Sequence, residues 1–226
     1  MELKIFETTA LFNLDHTIAG ELLSGFQYPW EALAQIKEFI LKIGPTLDSR
    51  AYHSPQAGVW IANSAKVFPS AYIGGPCIIG PEAEVRHCAF IRGNAIIGQG
   101  AVVGNSTELK NVILFDKVQV PHFNYVGDSI LGYRAHMGAG AVTSNVKSDK
   151  TLVSVKGSFG AIETGLKKFG AILGDSVEVG CNSVLNPGTV IGRNSTIYPT
   201  SCVRGYVPEG CIYKAPGNIV KKKEAK

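Results

Sequence analysis

The chain has 226 residues, of which 45% are hydrophobic and 18% charged, with a formal net charge of +4 at neutral pH. That composition suits one large domain with a substantial core rather than a disordered chain. Its apolar runs fall far short of the roughly 18 residues a membrane-spanning helix needs, and no charged-then-apolar leader is expected in Met1–Glu7. The mild positive charge gives no reason to expect a nucleic-acid or membrane partner.

There are five cysteines, an odd number without a CxxC pair. They point to reduced thiols and a cytoplasmic setting. Cys77 is expected to be a small structural residue.

Residues 1–50 carry helix signals. Asp15 is a candidate N-cap and Pro29 a first-turn proline. Trp30, Leu33, Ile36, Phe39, Ile40 and Ile43 then recur at spacings of three and four, which predicts an amphipathic helix ending near Gly44–Pro45. Its apolar face is expected on the open end of the following domain or on a partner subunit. Trp30 and Trp60 are expected to be packing residues.

From Ile61 the pattern changes. Aliphatic residues recur every six positions as Ile61, Val67, Ile73, Ile79, Val85, Ile91, Ile97, Val103 and Leu109. Four residues after each of the first eight stands a small residue, from Ala65 to Thr107. The beat continues with slips through Leu114, Val120, Val126, Leu131 and Met137, stops, and resumes from Leu173 to Val203. A helix wants spacings of three and four, and an ordinary strand wants two. Six with a small partner is the hexapeptide pattern of a parallel β-helix. Residues 51–215 are assigned to it, with an insertion over 143–170 that lacks the beat. Four of the last six residues are lysine, so 216–226 reads as a solvated basic tail.

Hexapeptide arithmetic also sorts the polar residues. The six-residue pattern resembles the left-handed β-helix of hexapeptide-repeat acyltransferases, in which three hexapeptides make one triangular coil of 18 residues. Arg92 and Lys110 each follow an aliphatic residue and lie 18 apart, so the resemblance implies that they stack on one face. His87, Asn105 and His122 each stand two places after an aliphatic residue and form another column. The beat loses a residue at Leu109–Ile113 and again at Val126–Ile130, which is expected to frame His122. A histidine near cations suits a general base beside an anionic sugar or cofactor. An ordinary surface histidine fits the same spacing.

The run VGNSTELKNVILFDKVQVPHFNYVGDSILGYRAHMGAGAVTSN, residues 103–145, resembles a known family. Its pieces GN–EL-K, H-x-x-Y-x-GD, GAG and a following Asn resemble the acetyltransferase domain of bifunctional glucosamine-1-phosphate N-acetyltransferase / N-acetylglucosamine-1-phosphate uridylyltransferase, a relative of UDP-N-acetylglucosamine pyrophosphorylases. The insertion's end, KKFGAILGD, looks like the archaeal type. The resemblance implies an all-β, left-handed β-helix of six to seven coils and an acetyl-CoA-dependent N-acetyltransferase acting on an amino-sugar 1-phosphate in nucleotide-sugar synthesis. Under it, His122 is the general base. Arg92 and Lys110 neutralise the phosphate, Tyr125, Asn145 and Lys150 contact the sugar, and Ala139 and Cys181 contact acetyl-CoA. It also implies a homotrimer with sites between subunits, where Tyr133 and Arg134 are placed to line a neighbour's pocket. Uridylyl transfer is not expected, because the residues before the prism are too few for a doubly wound domain and lack a glycine-rich phosphate loop.

Two other readings use the same prism. A non-catalytic module that binds nucleotide sugars accommodates His136 and Val146, which differ from the family's usual residues beside the base. A γ-type carbonic anhydrase needs three histidines on one zinc, yet His87 and His122 are separated by two coils. No metal site is expected.

Overall fold

The computed structural model describes residues 2–157 and 160–223. The chain from Val59 to Ala215 winds a left-handed parallel β-helix of about eight turns. The sequence expectation was six to seven. The beat breaks where Val203 is followed by Val207 after four residues, and this hides the last turn, which buries Val207 and Tyr213.

Three flat faces result. The first carries Val59–Ala62, Cys77–Ile79, Ala95–Ile97, Ala171–Leu173, Thr189–Ile191 and Tyr206–Val207. The second runs from Lys66–Val67 through Val102–Asn105, Gln119–His122 and His136–Met137 to Cys211–Ala215. The third runs from Tyr72–Ile73 through Phe90–Ile91 and Val142–Thr143 to Cys202–Val203. Two long strands, Glu108–Leu114 and Tyr125–Leu131, turn the corner from the third face to the first without a break.

The repeat's aliphatic residues point into the prism because side chains alternate along a strand. On the first face the outward column is also apolar. Trp60, Ile78, Ile96, Ile113, Ile130, Ile172, Val190 and Tyr206 stand in register from coil to coil. Ile78 to Val190 in that column are buried, because the N-terminal segment lies along them.

The segment itself differs in detail from expectation. A 3-10 helix at Pro29–Gln35 leads into an α-helix at Ile36–Ile43 and a last 3-10 turn at Gly44–Thr46. It packs on the side wall of the prism, against Ala95–Ile97, Glu108–Leu114 and Tyr125–Leu131, rather than on an open end. The apolar column explains why: the wall offers more apolar area to bury than an end does. Asn13, not Asp15, caps the short 3-10 helix at Leu14–His16, accepting from the Asp15 amide at 3.1 Å. Trp30 is buried beside Tyr28 and Phe169, with ring centroids 4.7 and 5.9 Å away. Tyr133 is taken up by the same segment, stacked on His16 at 3.7 Å.

Both ends of the prism are closed by antiparallel strands, which cover sheet edges that would otherwise recruit another chain. Tyr52–Gln56 pairs with Val59–Ala62 at one end, and Asn218–Lys221 with Cys211–Ala215 at the other. The basic tail is therefore a paired strand as far as Lys221. The insertion is also ordered: Ser154–Gly157 and Gly160–Glu163 form a hairpin, with Val153 and Val155 buried. Among the described residues no helix is long and apolar enough to cross a membrane.

Candidate functional site

The coil spacing is 18 residues from Cys77 to Ala95 and 17 from Ala95 to Val112 and from Val112 to Ser129. The missing residue comes from the corner between the third and first faces. In the 18-residue coil that corner uses two left-handed residues, Gly93 and Asn94, whereas Asn111 and Asp128 each turn it alone at φ 54° and 47°. Asparagine and aspartate tolerate this conformation better than other side-chain-bearing residues. The slips therefore do not frame His122, which sits at the opposite edge of the third face. They place Asn111 and Asp128 one above the other.

Asp128 is the centre of the cluster that forms there, and sequence reasoning missed it, although it is the aspartate of the quoted GD. Its carboxylate is buried and accepts from Asn111 Nδ2 at 3.0 Å and Asn145 Nδ2 at 2.5 Å. Lys110 Nζ lies 3.3 Å away. The Asn145 amide also reaches the Tyr125 hydroxyl at 3.3 Å. Lys110, Tyr125 and Asn145, singled out separately in the sequence, are thus one group. Burial pushes the Tyr125 phenol above its usual range, Asp128 and Glu108 add to the rise, and Arg92 opposes it. Tyr125 therefore stays a hydrogen-bond donor.

Arg92 stands one coil before Lys110, its amide donating to the Leu109 carbonyl, and its guanidinium pairs with Glu108 at 2.9 Å. That pair is open to solvent, where water and salt screen it, so Arg92 can turn to an incoming anion at little cost. Lys110 is different: its partner is buried, and it is held in place.

The second group lines the edge between the second and third faces. His122 pairs with Asn105, and Asn105 Nδ2 donates to the His87 carbonyl at 3.1 Å. Above His122 the same column continues through Ala139 to Cys181, given the pairing of Gln119 with His136 and of Met137 with Val179. The residues read as base and as acetyl-CoA contacts therefore stack on one edge, about 4.8 Å per coil.

The His122 ring is exposed and makes no hydrogen bond to the described residues, while its backbone amide donates to Asn124 Oδ1 at 3.1 Å. Next to it Phe123 is left-handed at φ 51° with its ring largely in solvent. The conformation belongs to the corner itself: Cys88, Ser106, Gly140, Asn182 and Thr200 turn the same corner left-handed in the other coils. Pro121 packs against Gly104, where a Cβ would lie 1.6 Å from the Pro121 carbonyl oxygen.

Other residues stand apart. Lys150 is an exposed turn residue whose amide donates to the Lys147 carbonyl, and its side chain makes no hydrogen bond or ion pair among the described residues. His136 pairs with Glu178 at 2.7 Å on the second face. His87 is engaged by Ser70 at 3.2 Å and by the Phe68 ring. Among the described residues no three of His, Cys, Asp and Glu converge on a metal position.

A family model described as the GMPPB C-terminal domain matches residues 73–190. The chain is 32% identical over 201 residues to the bifunctional protein GlmU of Methanococcus maripaludis, covering 87% of this chain and 48% of that protein. It is 32% identical over 174 residues to a bifunctional sugar-1-phosphate nucleotidylyltransferase/acetyltransferase of Sulfurisphaera tokodaii, covering 69% and 43%. It spans about half the length of these curated relatives. Among solved structures, a putative acetyltransferase from Bacillus cereus is similar at a TM-score of 0.41 and 18% identity, covering 73% of this chain and 78% of that one. The acetyltransferase domain of PglB from Neisseria gonorrhoeae, in complex with acetyl coenzyme A, gives a TM-score of 0.34 and 17% identity, covering 74% and 58%. With the family model spanning more than half of its length, the chain belongs to the GMPPB C-terminal domain family.

Proposed function

We propose that this protein transfers the acetyl group of acetyl-CoA to the amine of an amino sugar that carries a phosphate at its first carbon. The observation that carries the reading is the pairing of two groups across the third face. A free imidazole heads the Ala139–Cys181 column at one edge, and a preset donor cluster of Lys110, Tyr125 and Asn145 stands at the other.

In this reading the sugar lies across the third face. Tyr125 and Asn145 bind its hydroxyls, and Lys110 with Arg92 takes its phosphate through charge-assisted bonds. The amine then faces His122. Its nitrogen attacks the thioester carbonyl, a C–N bond forms, and the imidazole takes the amine proton. The C–S bond breaks and coenzyme A leaves as its thiolate, which is reprotonated. His122 supplies general-base catalysis, worth roughly 10²–10⁴-fold in such reactions. Acetyl-CoA would lie along the Ala139–Cys181 edge, with its thioester near His122. A trimer that presents a neighbour's surface to this edge, and a cytoplasmic setting, belong to the same reading.

The test is chromatographic quantification of free coenzyme A after incubation of acetyl-CoA with glucosamine 1-phosphate or galactosamine 1-phosphate. Release that depends on one of these sugars supports acetyl transfer. Binding of the sugar phosphate without release would favour a non-catalytic binding module.

A further inference from the structure

A cleft of about 290 Å³ lies between the inserted hairpin and the upper coils of the third face. It forms because the hairpin lies flat on two glycines. A Cβ on Gly188 would sit 2.7 Å from the Ser154 carbonyl oxygen, and one on Gly205 would sit 2.5 Å from that of Lys156. Both glycines have φ near 80°.

The cleft wall is rich in unengaged donors. Lys156 and Arg204 line it and pair with no carboxylate among the described residues. The hydroxyls of Ser144, Ser148 and Ser154 also line it, without a hydrogen-bond partner among the described residues. Among the described residues the one carboxylate in the wall, Asp149, is already occupied, accepting from Thr151 at 3.0 and 2.8 Å and lying 3.6 Å from Lys147. Among the described residues the wall contains no aromatic side chain, so none of them stacks a base or sugar ring. Cations and hydroxyls converging on a small polar space suit phosphate oxygens. At the lower end of the usual range of ligand pockets, the volume suits part of a ligand rather than a whole nucleotide.

Its position gives the cleft a direction. Lys110, Gly127, Ser144, Asn186 and Arg204 follow one another up a single column of the third face. Ser144 opens the cleft, and its neighbour Asn145 belongs to the Asp128 cluster. The two sites are therefore contiguous, with Ser144 two coils, or about 10 Å, from Lys110.

We propose that this cleft is a diphosphate-binding pocket that takes the second phosphate of a nucleoside-diphosphate-linked amino sugar, so that such a sugar is bound more tightly than the sugar 1-phosphate. The substrate half of this inference rests on the acetyl-transfer reading; the pocket does not.

Calorimetric titration with inorganic pyrophosphate tests the pocket without turnover. Wild type is expected to bind it, and the exposed-site double variant Lys156→Ala/Arg204→Ala to bind it about tenfold or more weakly, the scale of a charge-assisted bond. Absence of binding in wild type, or binding indifferent to both substitutions, overturns the pocket. The second arm compares KM for an amino sugar 1-phosphate and for its nucleoside-diphosphate form. The double variant is expected to raise KM for the nucleotide-linked form far more than for the 1-phosphate. Equal changes for the two overturn the substrate assignment, and a loss of all acetyl transfer would leave the pyrophosphate result standing.

Discussion

The Asn145 amide donates to the buried carboxylate of Asp128 at 2.5 Å, and this bond ties the start of the insertion to the shortened corner of the prism. Asn145 also accepts the Phe169 amide at 3.0 Å through its carbonyl, so both roots of the insertion meet at the same place. The loss of one residue per coil thus serves to place a carboxylate that orders Lys110, Asn111 and Asn145 together.

Removal of that carboxylate should be costly. Asp128→Ala leaves the half-buried Lys110 ammonium without its partner and takes one acceptor from each of two amides, Asn111 keeping the Leu33 carbonyl and Asn145 the Tyr125 hydroxyl. A destabilisation of about 3 kcal/mol is expected, the lower end of the range for breaking a buried pair, read from the urea midpoint. Asp128→Asn keeps the shape but not the charge and should cost less. A midpoint unchanged in Asp128→Ala would show that the cluster contributes nothing to holding the corner.

Gly127 lies beneath the Tyr125 ring. A Cβ there would stand 2.4 Å from the Tyr125 hydroxyl, which can swing away because it is the end of a side chain. Gly127→Ala is therefore expected to keep the fold while moving the hydroxyl away from Asn145. Circular dichroism and the unfolding midpoint should change little, and KM for the sugar phosphate should rise about tenfold, the scale of one hydrogen bond in a binding site.

The cysteines separate into two classes. Cys88, Cys181 and Cys202 are exposed, whereas Cys77 and Cys211 are buried. Burial pushes the Cys77 thiol up to about 12, so it stays protonated and unreactive near neutral pH. An alkylating reagent followed by peptide mapping should label the three exposed residues in the native protein and the other two only after denaturation. Coenzyme A bound along the His122–Cys181 edge should protect Cys181 while leaving Cys88 and Cys202 reactive.

The first face predicts that an outward residue behaves like core. Ile130 points away from the prism axis yet is fully buried beneath the N-terminal segment. Ile130→Ala should destabilise by about 2–5 kcal/mol, as truncations inside a core do, measured by equilibrium unfolding. A cost under about 0.5 kcal/mol, typical of surface positions, would show that the segment does not pack there.

The prism was legible because its inward residues repeat on a fixed beat, which converts sequence separation directly into stacking. The His87–Asn105–His122 column and the stacking of Lys110 above Arg92 followed from the same counting. The covered face was written in the sequence as a second aliphatic residue beside the first, in Ile78–Ile79, Ile96–Ile97 and Ile113–Leu114, but a search at period six registers only one of each pair. Asp128 was harder to find, because its cluster joins residues 17 and 18 apart across a corner whose geometry the beat does not describe. Lys156 lies in the insertion, where no repeat assigns a register. Lys150 was placed at the sugar by the resemblance alone, and its neighbour Lys147 lines the cleft.

The central claim is that His122 is the base of an acetyl transfer, and the release of free coenzyme A in wild type and in His122→Ala tests it most directly. The account predicts release that depends on an amino-sugar phosphate in wild type, and a fall of roughly 10²–10⁴-fold in His122→Ala with the unfolding midpoint unchanged. Sugar-dependent release that proceeds equally well in His122→Ala would contradict it.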